Sequence, residues 1–145
     1  MRTGRTLGYT IFEGYFVSYH TAAPPSDDEW HEQLKDIAGR LKDLRGVLVV
    51  TDGGGPNVVQ RRQLAELFEG RVLPVAVVTD SAVARGILVA LSWLGLKQRA
   101  FSQADVGKAL EFLCISGPLL PAITRTIERL RADVTDASKR AGNDS

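Results

Sequence analysis

The sequence predicts an α/β domain: a mostly parallel sheet with helices on both faces, an N-terminal antiparallel hairpin, and an extra C-terminal helix. Three observations carry this. β-prone segments alternate with segments of helical periodicity along the chain. Two strand-length runs, "GVLVV" and "LPVAVV", show no polar alternation, as strands covered on both faces do. A Ser-x-x-Glu spacing at Ser26 and Glu29 marks a helix start.

In chain order, a short polar start leads into "YTIFEG" and "YFVSYHT", rich in Tyr, Phe, Val and Thr and separated by Glu13-Gly14, which read as a hairpin. Pro24-Pro25 ends the second run, and the capping box opens a helix. Trp30, Leu34, Ile37, Leu41 and Leu44 recur there at helical spacing to form its buried face. After "GVLVV" and the loop Thr51 to Asn57, the residues Val58, Val59, Leu64, Leu67 and Phe68 are expected to form the apolar face of a second helix ending at Gly70. "LPVAVV" is the next strand, Thr79-Asp80-Ser81 supplies cap chemistry, and Ala82 to Leu94 reads as an apolar helix closed by Gly95. "KQRAFS" is a short last strand near an edge, because charges enter it. Ser102 is expected to cap a helix that buries Val106, Ala109, Leu110 and Leu113.

After Gly117-Pro118, the residues Leu119, Leu120, Ile123, Ile127 and Leu130 suggest a further helix. Its stripe either packs within the chain or is covered by a second copy, and a homodimer is the reading favoured. The division expected is an α/β domain over 1–116, the C-terminal helix over 117–132 and a disordered tail over 133–145.

With 145 residues, 44% apolar and 24% charged, and a net charge of +1, the chain has the composition of one ordinary globular domain. Neither a basic nor an acidic partner is implied, and no nucleic acid is expected as a partner. No apolar run reaches the ~18 residues of a membrane span, and Met1-Arg2-Thr3-Gly4-Arg5 leads into no signal-like apolar segment. Cys114 is alone, which fits a reducing compartment, so a cytoplasmic location is expected.

The stretch "VLVVTDGGGPN" is the sharpest local feature. Thr51-Asp52 and Thr79-Asp80 both stand at the carboxyl ends of parallel strands, where open α/β sheets meet ligands and partners. If the two strands are neighbours, both pairs lie on one rim, with Arg61 and Arg85 in the helices that follow. A phosphate cradle would need a Lys and a Ser or Thr after the last glycine, but Gly55 is followed by Pro56-Asn57-Val58, and Pro56 removes an N–H donor. Asp52, Thr79 and Lys97 mimic the order of a phosphoacceptor receiver domain, but the acidic metal-binding residues such a domain needs after its first strand are missing. Three glycines suit either a strand-to-helix corner or a close approach by a partner. His20 and His31 share no metal-ligand spacing with Cys114, so no metal and no cofactor is expected, and both histidines read as incidental. No base stands placed to activate a hydroxyl or carboxylate of the rim, so the chain does not read as an enzyme.

The order hairpin, helix, strand, helix, strand, helix, strand, helix, with "VLVVTDGGG" at the central strand end and "FSQADVGKALEFL" near the close, resembles the STAS family of sulfate-transporter and anti-sigma-factor-antagonist domains. It looks most like the stand-alone STAS/SEC14-like bacterial proteins, over roughly residues 7 to 113. In the antagonists a loop reading Asp-Ser-Ser/Thr-Gly carries a phosphorylated hydroxyl that switches partner binding. Asp52 and Gly55 match that loop, whereas Gly53 and Gly54 stand at the hydroxyl positions and exclude the switch there. The resemblance implies a regulatory or scaffolding module that binds a protein through Asp52, Gly53, Gly54, Gly55, Pro56, Asn57 and Arg61. The alternative is a small-ligand or lipid binder using Thr51, Asp52, Thr79, Asp80, Ser81 and Arg85.

Overall fold

The computed structural model describes residues 1–86 and 97–143. Residues 87–94 of the expected third helix, with Trp93 and the closing Gly95, lie outside the described residues. Six strands form one mixed sheet in the order in which they occur in the chain: β1 (Arg2–Thr3), β2 (Leu7–Phe12), β3 (Tyr15–His20), β4 (Gly46–Thr51), β5 (Pro74–Val78) and β6 (Lys97–Phe101). The first three pair antiparallel and β3 to β6 pair parallel. The expected hairpin is β2–β3, closed by Glu13-Gly14 with φ of 51° and 85°, the two-residue turn whose twist matches its strands. The polar start contributes the additional strand β1, and β6 is an edge strand, as its charges suggest.

Helices cover both faces. On one side α1 (Asp27–Arg40) and α2 (Val58–Leu67) bury Ile37, Leu64 and Phe68 against Tyr9, Phe16, Val47, Val75 and Val77. On the other, α4 (Val106–Phe112) and α5 (Leu119–Asn143) bury Leu110, Leu113, Ile123, Leu130 and Val134 against Tyr15, Val17, Leu48, Val50 and Phe101. Residues 82–86 are helical and are labelled α3. Coverage from both sides is why β4 and β5 can be apolar without alternation.

The capping box at α1 is formed in full: Ser26 Oγ accepts from Glu29 N at 3.2 Å, and the Glu29 side chain accepts from Ser26 N at 3.3 Å. Glu29 also accepts from Thr6 N at 3.0 Å and Thr6 Oγ1 at 2.8 Å, tying the helix start to the connection between β1 and β2. Burial would raise the Glu29 carboxyl, but the bonds from Thr6 and Ser26 outweigh it and hold the group below its usual range.

The structure corrects four expectations. Val58 and Val59 are 60% and 62% exposed, and Gln60 is buried in their place. Its side chain completes a second capping box with Asn57 and donates to Pro25 O at 3.3 Å and Asp27 Oδ1 at 3.0 Å, which draws it inward. Ser102 makes no side-chain cap bond; a 3₁₀ turn over Gln103–Asp105 intervenes before α4. The polar stretch after residue 132 is helical to Asn143 rather than a disordered tail, because Val134 extends the buried stripe Ile123, Ile127, Leu130 by one more turn. That stripe packs on the chain's own sheet, so it supplies no face for a homodimer.

Candidate functional site

Strands β4 and β5 are neighbours, and the pairing of Val50 with Val78 sets Thr51 beside Thr79, so the two Thr-Asp pairs do share one rim. Most of their side chains are engaged locally. Thr51 Oγ1 donates to Gly54 O at 2.6 Å and accepts from Gly53 N at 3.1 Å. Thr79 Oγ1 accepts from Ser81 N at 3.1 Å, and Ser81 Oγ caps α3 by accepting from Ala84 N at 3.2 Å. Asp80 accepts from Gln103 N at 3.0 Å. Arg61 donates to Pro56 O at 2.9 Å, and Arg85 to Thr79 O at 3.3 Å.

Asp52 fastens the rim to the opposite helical layer. Tyr19 Oη donates to its carboxylate, Gln103 Nε2 donates to it at 3.2 Å, and Arg131 of α5 stands 3.8 Å away. Arg131 also donates to Gln103 Oε1 at 3.1 Å and lies 5.1 Å above the Tyr19 ring. Burial and the bond to Asp52 push the Tyr19 hydroxyl up to about 12.

Two of the three glycines serve the corner itself. Gly53 sits at φ +130°, a backbone setting that side chains resist. A Cβ on Gly54 would lie 2.2 Å from Thr21 O and 2.3 Å from Ala23 O, so this residue is the contact between the loop and the β3–α1 connection. The close approach that the triple glycine suggests is thus made, at Gly54, by the chain's own backbone.

Beneath this corner, between the sheet and the α1–α2 layer, lies a cavity of about 90 Å³, walled among others by Thr51, Gly54, Gly55 and Pro56. Its walls are chiefly apolar, with Phe16, Ile37, Val47 and Phe68 among them, and no described lining residue is an Asp, Glu, Lys or Arg. Six polar side chains interrupt them: Ser18 and His20 on β3, Thr51 on β4, Trp30 and Gln33 on α1, and Gln98 on β6. Ser18 Oγ, His20 Nδ1, Trp30 Nε1, Gln33 Oε1 and Gln98 Nε2 are all buried and have no hydrogen-bond partner in the protein. Only one other buried side-chain atom among the described residues, Gln63 Oε1, shares that condition, so the unpaired groups concentrate here. A buried polar group without a partner costs roughly 1–3 kcal/mol, and five of them approach the whole stability of a domain, about 5–15 kcal/mol. Such a wall calls for polar atoms that the chain itself does not supply.

His20 is completely buried, which pushes it down to about 4, only partly opposed by Glu29, so its imidazole is neutral near pH 7. The sequence offered a signal for this site. Ser18 and His20 are polar residues two apart on a strand buried along its whole length, and Gln33 falls three residues after Trp30 and four before Ile37, on the buried stripe of α1. Reading His20 as incidental passed over it. Among the described residues no cluster of three or more metal-ligating side chains occurs, and no helix is long and apolar enough to cross a membrane. Comparison of the chain with protein-family models, with curated proteins and with solved structures found no match.

Proposed function

We propose that this chain is a non-catalytic binding module that takes up a small molecule in the cavity under the Thr51–Asn57 loop. One observation carries the reading: five buried, unpaired polar atoms belong to residues that line a single, chiefly apolar cavity. Ser18 and His20 share its wall, but neither Ser18 Oγ nor His20 Nδ1 has a hydrogen-bond partner, so no hydroxyl is activated by that imidazole nitrogen. The resemblance to STAS/SEC14-like domains is compatible with a ligand-binding role.

The test is equilibrium dialysis of the folded chain against a small-molecule extract of cells, with mass spectrometry of what it retains. Wild type is compared with Ser18→Leu, which fills the cavity, and with the near-isosteric Gln33→Met. Retention of one compound class by wild type and its loss from both variants supports the reading. Equal retention by all three, or none above the dialysis blank, overturns it.

A second reading, docking of a protein on the first turn of α2, rests on the exposure of Val58 and Val59 beside the loop. A Val58→Asp, Val59→Asp double variant that keeps every protein captured by wild type removes that basis.

A further inference from the structure

We infer that the molecule bound in this cavity is compact and uncharged and carries a hydrogen-bond acceptor, as a carboxamide, lactam or urea group does. The inference rests on the cavity being a ligand site and concerns what that site selects. Charge is the first argument. No described residue lining the cavity is an Asp, Glu, Lys or Arg, and His20 stays neutral in its buried setting. A carboxylate, phosphate or ammonium entering here would give up its hydration without meeting an opposite charge, a penalty of several kcal/mol even after relaxation.

The second argument is the inventory of unpaired atoms. Trp30 Nε1 can only donate. Ser18 Oγ can take either role, His20 Nδ1 takes the one its tautomer leaves it, and the amides of Gln33 and Gln98, whose oxygen and nitrogen exchange places on a half-turn, can each present an acceptor or a donor. A ligand that satisfies this wall must therefore offer an acceptor lone pair to the indole N–H, and any further donor or acceptor it carries can be met by these adaptable groups. The carbonyl oxygen of an amide or urea meets the fixed demand without charge. A hydrocarbon leaves it unmet.

Size is the third argument. An apolar cavity of ~150 Å³ accommodates benzene, so 90 Å³ corresponds to about four non-hydrogen atoms. That is the size of an amide or urea unit and far below that of a lipid chain.

Isosteric pairs that differ in charge test the class directly. Acetamide against acetate, and methylurea against methylguanidinium, are titrated into the full chain near pH 7 while the indole N–H resonance of Trp30 is followed by NMR. The resonance is assigned through a Trp30→Phe variant. The neutral member of each pair is expected to shift this resonance with at least a tenfold lower dissociation constant than its charged partner, and Gln33→Met is expected to weaken both neutral compounds by about tenfold. Charged members that bind as tightly as the neutral ones, or more tightly, overturn the proposed class while leaving the cavity a ligand site. If none of the four moves the resonance the proposed class also fails, and the dialysis comparison then separately decides whether the cavity binds any molecule.

Discussion

Replacing Gln33 by methionine is expected to stabilise the fold while weakening ligand uptake by about tenfold, a combination that a purely structural glutamine would not give. Gln33 is 3% exposed on the inner face of α1, and its Oε1 has no partner. Methionine keeps the length and the unbranched shape of the side chain, so the packing contacts with the cavity wall are largely retained. What is removed is a buried acceptor whose missing bond costs roughly 1–3 kcal/mol, and replacing it by an apolar group of the same shape recovers that amount. For a chain of this length each kcal/mol moves the midpoint by a few degrees, so Tm should rise by about 3–10 °C. Thermal unfolding followed by circular dichroism, on protein dialysed free of small molecules, reads the change. A midpoint lowered by more than a degree or two would mean that Gln33 holds the fold together through its amide. The reasoning from unpaired groups to function would then fail at its first step.

Three further outcomes follow from other parts of the structure. Gly54→Ala places a methyl group against two backbone oxygens that cannot step aside, so it should cost more than about 3 kcal/mol in urea unfolding, and a loss below about 1 kcal/mol would contradict the loop contact. The His20 imidazole titrates lower in the folded chain, at about 4, than in the unfolded chain, near 6.5, so between these values the unfolded chain binds more protons. Its contribution to stability is complete above pH 6.5 and is lost as pH falls toward 4, by about 3 kcal/mol; comparing the pH dependence of unfolding of wild type with that of His20→Gln isolates it. In Asp52→Ala the Tyr19 hydroxyl should titrate below its present value of about 12 yet above the ordinary 10, because burial persists, while the half-exposed pair with Arg131 contributes no more than ~1 kcal/mol to stability. Ultraviolet titration of the tyrosines checks the first part and urea unfolding the second.

The architecture was legible in the sequence wherever backbone chemistry is local. Ser26 and Glu29 announce α1 because a capping box needs only four residues, and "GVLVV" announces a strand covered on both faces because its own composition excludes water from either side. Errors arose where hydrophobicity was read without helical phase. Along α2 and its C-cap the inward stripe is Gln60, the partly buried Leu64 and Phe68, four residues apart, and Gln60 turns inward because its amide meets Pro25 O and Asp27 Oδ1, partners far away in sequence. Val134 was assigned to a polar tail because one valine among charged residues gives no periodic signal until Ile123, Ile127 and Leu130 are counted with it.

The rim residues were found, since strand ends are readable, but their roles were not. Asp52 reaches Gln103 and Arg131, 51 and 79 positions further along the chain, and only the folded sheet brings those together. The cavity was the least legible part. Its unpaired polar groups come from β3, α1 and β6, and each of Ser18, Gln33 and Gln98 taken singly is an unremarkable residue; the site exists only because they line one cavity.

A high-resolution crystal structure of the chain as purified from cells, without added ligand, tests the central claim most directly. The account predicts a bound organic molecule in the cavity with polar atoms about 2.6–3.2 Å from at least three of Ser18 Oγ, His20 Nδ1, Trp30 Nε1, Gln33 Oε1 and Gln98 Nε2. Side chains turned to pair with one another across a closed cavity, or ordered water alone on all five atoms, would contradict it.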